Sequence, residues 1–281
     1  MTRERDVRGG DGLVLSASTL APATSLAERV EAAAAARFAG IGLRPSDRDR
    51  ALAEGATDAG LRALLRERGV EVAELQALGN WGLSGDAGAQ SRAFEEALYG
   101  LADALGGRYV IAIGEIEDDL DLAAARFAAL CDRAAANELT VALEFVPWTT
   151  IPDAATAWEI VGRAERPNCG VLVDAWHHFR GAADDALLRA IPADRIAAVH
   201  LCDAAPGIVG TLVNDARHHR MLPGEGSFEL DRLIRLLDGH GVQAPFGVEV
   251  LSDALHALAP HDAAAAAAAS ARATIDRARA S

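Results

Sequence analysis

Short apolar, β-branched runs alternate with longer stretches of helical periodicity along nearly the whole chain. The runs predict strands at residues 13–18, 40–43, 70–78, 109–114, 140–145, 170–174, 196–201 and 246–251. Amphipathic or alanine-rich stretches between them predict helices at 25–38, 47–68, 87–105, 120–137, 151–164, 184–190, 228–238 and 261–278. Thr24 or Ser25, Ser46 and Asp121 suit helix starts, and Gly69 and the pair Gly106-Gly107 suit helix ends. Strands that alternate with helices this regularly form a parallel sheet with helical crossovers. Eight such units in 281 residues fit one closed barrel. The expectation is therefore an α/β fold, a single (β/α)8 TIM barrel over 13–281 behind a flexible tail, 1–12. Its active site would lie at the C-terminal ends of the strands.

Four polar residues interrupt the apolar pattern at those ends. Glu144 closes TVALEF, Asp174 closes GVLVD, His200 closes IAAVH, and Glu249 lies in FGVEV. Each has an ordinary explanation. Glu144 could pair with an arginine at the rim, and Asp174 could cap the next helix. His200 could be a hydrogen-bonded core imidazole, and Glu249 could face either the barrel axis or a covering helix. On four successive strands, three carboxylates and an imidazole brought to one point would instead make a site for a divalent cation. His177, three residues after Asp174, is a candidate substrate contact. Trp148 and Trp176 follow two candidate ligands closely and could wall a sugar ring. The stretch 203–227 has no clear element and carries Arg217, His218, His219 and Arg220, so it is the leading candidate for a functional loop. A second loop, 79–88, presents Trp81 among glycines and reads as exposed.

Composition narrows the chemistry. The formal charge is −14 with no basic cluster, so nucleic acid is not an expected partner. The chain contains no lysine, so all 27 basic residues are arginine. Schiff-base aldolase and pyridoxal phosphate chemistry, which need a lysine amine, are excluded. Cys131, Cys169 and Cys202 show no CxxC spacing and suit a reduced, cytoplasmic protein. The charged, glycine-rich start MTRERDVRGGDG does not read as a signal peptide, and no apolar run has the length of a membrane span.

The pattern E…D-x-x-H…H-x-x-D…E, with the turn in RMLPGEGSFEL before the seventh predicted helix, resembles the sugar phosphate isomerase/epimerase superfamily of xylose isomerase-like barrels. The resemblance runs from SASTL to GVEV, with LEFVPW, GVLVDAWHHFR and RMLPGEGSFEL as its most specific segments. It implies that Glu144, Asp174, His200 and Glu249 bind one divalent ion, Mn²⁺ first, with Mg²⁺, Co²⁺ or Zn²⁺ as alternatives. It also implies that Glu144 and Glu249 act as an acid/base pair, with His177 beside them and Arg220, or Arg217 in its place, on the substrate. The implied activity is isomerisation or epimerisation of a small keto-sugar or cyclitol ketone through a metal-stabilised enediolate. A lyase acting on 3-dehydroshikimate, an inosose or a C-glycoside is the alternative. A second carboxylate six positions after the first ligand, used by ketose epimerases, is replaced by Thr150. A non-catalytic subunit of a hetero-complex is the reading of a different class, and self-association stays open.

Overall fold

The computed structural model describes residues 12–117 and 119–280. The tail expected over 1–12 lies, apart from Gly12, outside the described residues. Eight parallel strands close a barrel in sequence order: β1 (Val14–Leu15), β2 (Gly40–Leu43), β3 (Glu71–Leu78), β4 (Tyr109–Ala112), β5 (Thr140–Glu144), β6 (Cys169–Asp174), β7 (Ile196–Leu201) and β8 (Phe246–Val248). β8 pairs with β1 to complete the ring. The expected barrel is therefore present, with every strand within a few residues of its sequence-derived limits.

The helices form the outer layer: α1 (Leu26–Ala35), α2 (Pro45–Ala53), α3 (Asp58–Arg68), α4 (Gly85–Leu105), α5 (Leu120–Ala135), α6 (Ala154–Ala164), α7 (Ala175–Arg180), α8 (Asp185–Ala190), α9 (Leu212–His218), α10 (Leu230–His240), α11 (Asp253–His256) and α12 (Pro260–Ala280). The single helix expected at 47–68 is two. Gly55 takes a left-handed φ of 95° to end the first, and the Thr57 side chain accepts from the Gly60 amide to begin the second. The stretch 203–227 is not structureless either. Thr211 caps α9 within it, and the buried Asp203 carboxylate accepts from the amides of Ala204, Gly224 and Phe228 to fold the proline-glycine turn. Asp203 thus organises this loop. The alanine-rich α12 packs between α1 and α10, where small side chains allow close approach.

The apolar core is mostly the layer between strands and helices. A smaller cluster of Tyr109, Ile111, Ala142, Leu172 and Ala198 fills the barrel axis. Side chains on a strand alternate between faces, so the residues two positions on from Ala142, Leu172 and Ala198 also face the axis. Those residues are Glu144, Asp174 and His200. Asp174 and His200 are direct register partners, which places them at one height on neighbouring strands. Among the described residues, no helix is long and apolar enough to cross a membrane, and all three cysteines are free and buried.

Candidate metal centre

At the C-terminal mouth of the barrel, one ligand atom from each of Glu144, Asp174, His200 and Glu249 lies within 4.8 Å of the others. All four residues are buried, so their polar atoms depend on one another or on a bound cation. Two atoms of the quartet, Glu144 Oε1 and His200 Nδ1, have no hydrogen-bond partner and would suit a bound cation. The donor set, three carboxylates with one imidazole, fits a divalent ion of hard or borderline character.

Behind this quartet lies a second row that sequence reasoning missed. The Glu74 carboxylate on β3 is wholly buried and sits 3.0 Å from His200 Nε2. With Nε2 engaged there, Nδ1 is the ring nitrogen turned toward Glu249 Oε2 at 3.4 Å and Asp174 Oδ2 at 3.9 Å. A carboxylate that fixes the far nitrogen of a ligand imidazole is the usual support for a metal-binding histidine. Glu74 also accepts from the Tyr109 hydroxyl at 3.1 Å and the Gln76 amide at 2.9 Å. That amide donates to Glu249 Oε1 at 3.0 Å as well, and the Ser16 hydroxyl donates to the same oxygen at 2.9 Å. Two glycines make room for this row. A Cβ on Gly42 would lie 2.2 Å from Glu74 Oε1 and 2.7 Å from the Ala17 amide, and one on Gly247 would lie 2.6 Å from His200 Cδ2.

The electrostatics divide the two glutamates. Burial, with the charges of Glu249 and Asp174, holds Glu144 well above the ordinary carboxylate range. Burial also works to raise Glu249, but His200, Arg220 and the Ser16 hydroxyl outweigh it and hold this carboxyl well below that range. His200 is raised well above a free imidazole because Glu249 and Glu74 overcome its burial. His177 goes the other way: burial outweighs the pull of Asp174 and lowers it to about 4, so its ring is neutral at pH 7. Its Nε2 lies 3.7 Å from Glu144 Oε1, and its amide donates to Asp174 Oδ1 at 3.0 Å.

Arg220 is buried at the centre of the charge cluster. It donates to Asp174 Oδ2 at 2.8 Å and to Glu249 Oε2 at 3.4 Å, and Nε donates to the Ala216 carbonyl at 2.9 Å. Arg217, on α9, is exposed. A cavity of about 200 Å³ opens above the quartet, lined by Glu144, His177, Trp148, Arg44, Arg217 and Arg220 among others. Two expectations about tryptophan change here. Trp176 is wholly buried, packs edge-on against Trp148 and His177, and donates to Asp215 Oδ2 at 3.2 Å, so it backs the wall and does not line it. Trp81 is buried against Phe127 with ring centroids 5.2 Å apart, so it is not an exposed loop residue. Thr150 ties its loop to Ile116, accepting from that amide at 2.8 Å, and its neighbour Thr149 lines the cavity.

The chain belongs to the family described as xylose isomerase-like TIM barrel, which it matches over residues 30–275. It is similar to a 3-dehydroshikimate dehydratase from Pseudomonas aeruginosa, 27% identical over 248 residues that cover 86% of this chain. The chain spans only 38% of that relative's length. It also resembles an inosose isomerase from Halalkalibacterium halodurans, 28% identical over 125 residues, 44% of this chain and 43% of the relative. Among solved structures, the IolI protein with a bound zinc atom superposes with a TM-score of 0.86 at 20% identity, covering 95% of this chain and 98% of that one. At that identity the likeness is one of fold.

Proposed function

We propose that this chain is a divalent-metal-dependent enzyme that moves a proton next to the carbonyl of a small polyhydroxylated compound. The convergence of Glu144, Asp174, His200 and Glu249 carries the proposal. An ion held by these four would supply Lewis acidity to a carbonyl oxygen. Mn²⁺ is our first choice, and zinc, present in the IolI structure, is the alternative.

The side chains divide the remaining work. Glu249, held ionised by His200 and Arg220, is suited to accept a proton. Glu144, pushed up by burial and by its acidic neighbours while no ion is bound, is the second carboxyl of the pair and the candidate to return it. His177 lies beside Glu144 as a neutral ring, which can hydrogen-bond a substrate oxygen but stores no proton of its own at pH 7. Return of the proton gives isomerisation or epimerisation. Where a hydroxyl sits β to the carbonyl, loss of that hydroxyl with a proton from the site gives water and an unsaturated ketone. The match to a dehydratase over 86% of the chain, and threonine at position 150, favour giving this elimination equal standing.

Incubating the Mn²⁺-loaded protein in D₂O with 3-dehydroshikimate and with an inosose separates the outcomes by NMR. Deuterium at the carbon beside the carbonyl, with the hydroxyl retained, identifies an isomerase. An unsaturated product identifies a dehydratase. Protein that carries metal yet produces neither change on these and on a panel of keto-sugars contradicts the proposal.

Glu74 gives a second check, independent of turnover. With Glu74→Gln, the partner that fixes the His200 ring loses its charge, and metal affinity is expected to fall about 10–100-fold. Chelator competition measures this directly. Unchanged affinity would mean that His200 needs no support from β3.

A further inference from the structure

Arginines in this protein are mostly tied to carboxylates, and the exceptions at the barrel mouth stand together. Arg44 follows β2 at the head of α2, where its amide donates to Asp47 Oδ2 at 2.8 Å and fixes the turn. Its guanidinium reaches over the barrel to three neutral acceptors. Nη1 donates to the Ala17 carbonyl at 3.2 Å, and Nη2 to the Ser18 hydroxyl at 2.6 Å and to Gln76 Oε1 at 3.4 Å. A guanidinium has five N–H donors, so these contacts leave donors free. Among the described residues, no carboxylate lies within ion-pair distance of this group.

The same carbonyl of Ala17 also accepts from Nη1 of Arg29 at 3.1 Å. Arg29 is wholly buried, and its Nε and Nη2 have no partner. Two guanidinium groups therefore meet at one carbonyl oxygen, and the Asp47 carboxylate, whose charge favours Arg29, is itself taken up by the Arg44 amide and by Arg50. Arg217 faces the same space from α9 and makes no hydrogen bond or ion pair among the described residues. Arg44, Arg217, Ser18 and Leu251 line both the inner cavity of about 200 Å³ and an outer groove of about 750 Å³, so they mark the boundary between the two. Gln76 connects this boundary to the metal centre, since its carbonyl meets Arg44 while its amide donates to Glu249. Arg220, by contrast, is already engaged with Asp174 and Glu249.

Building on the metal-centre proposal above, we propose that Arg44 and Arg217 form an anion subsite and that the substrate is a small carbonyl compound bearing a carboxylate or phosphate. The anionic group sits at the boundary, and the reacting carbons reach inward to Glu144 and Glu249. In a chain of net charge −14, a local pair of unneutralised guanidinium groups over the cavity selects acids against neutral sugars of the same shape.

Equilibrium binding to the metal-loaded protein tests this with matched probes. 3-Dehydroshikimate and its methyl ester form the carboxylate arm, and fructose 6-phosphate and fructose the phosphate arm. In at least one arm the anion is expected to bind tenfold or more tightly than its neutral partner, and the arm that does so identifies the source. Arg44→Met is expected to abolish that preference, and Arg44→Lys to retain part of it. Arg217→Met, a change at an exposed position that leaves the fold intact, is expected to weaken the preference several-fold. No preference for the anion in either arm, no binding of any of the four probes at millimolar concentration, or a preference untouched by both methionine variants overturns the subsite. The two proposals fail differently. A charge preference without bound metal or proton exchange would sink the enzyme reading and keep the subsite, whereas exchange on neutral cyclitols without charge preference would do the reverse.

Discussion

Arg220→Leu is expected to destabilise the metal-free protein by about 3–5 kcal/mol, the usual cost of breaking a buried ion pair by removing one partner. Arg220 is buried and holds both Asp174 and Glu249, so leucine would leave these two carboxylates with His200 as their one remaining cationic neighbour among the described residues. The wild-type guanidinium is itself stabilised by this setting: burial opposes its charge, but Asp174 and Glu249 more than compensate. Saturating Mn²⁺ is expected to recover much of the loss, because an ion in the quartet supplies the missing positive charge and binds only the folded state. Denaturant titration with and without metal measures both quantities. A substrate-binding role alone gives the opposite result: stability would barely change, and only KM would rise.

The second large effect concerns the glutamates. Glu144→Gln and Glu249→Gln are each expected to reduce turnover by about 10²–10⁴-fold, the range for a lost general acid or base. Glutamine keeps the size and an oxygen ligand but can no longer hold or accept the proton. Because the two carboxyls are pushed in opposite directions, their variants should differ in pH response. Glu249→Gln removes one of the two anions that raise His200, leaving Glu74, so the imidazole is expected to titrate at lower pH than in the wild type, which ¹⁵N NMR follows. Equal and small losses in both variants would remove the acid/base pair from the account.

The convergence of Glu144, Asp174, His200 and Glu249 was readable in the sequence because each stands at or near the end of an apolar run, where a polar residue is conspicuous. Its supporting row was not. Glu74 and Gln76 lie within EVAELQAL, whose polar residues read equally well as the solvent side of a strand. Only barrel closure turns them toward His200 and Glu249. Arg44 belongs to no motif, and its reach to Gln76 depends on how α2 leaves β2. The break between α2 and α3 was hidden because alanine, leucine and arginine continue a helical pattern on both sides of Gly55. The short helix α9 was obscured by its polar, histidine-rich composition, although Thr211 three residues before Asn214 was its visible start. Trp176 was misplaced for a simpler reason: proximity in sequence to Asp174 says nothing about which way an indole in the first turn of α7 points.

Metal stoichiometry tests the central claim most directly. Purified wild type and the variants Asp174→Asn and Glu249→Gln, each incubated with Mn²⁺ and then desalted, would be measured by elemental analysis alongside a fold check by circular dichroism. The expected result is about one ion per wild-type chain, with little retained by folded variants. Wild type that holds no Mn²⁺, Co²⁺ or Zn²⁺, or variants that retain as much as wild type, would contradict a metal centre built on these four residues.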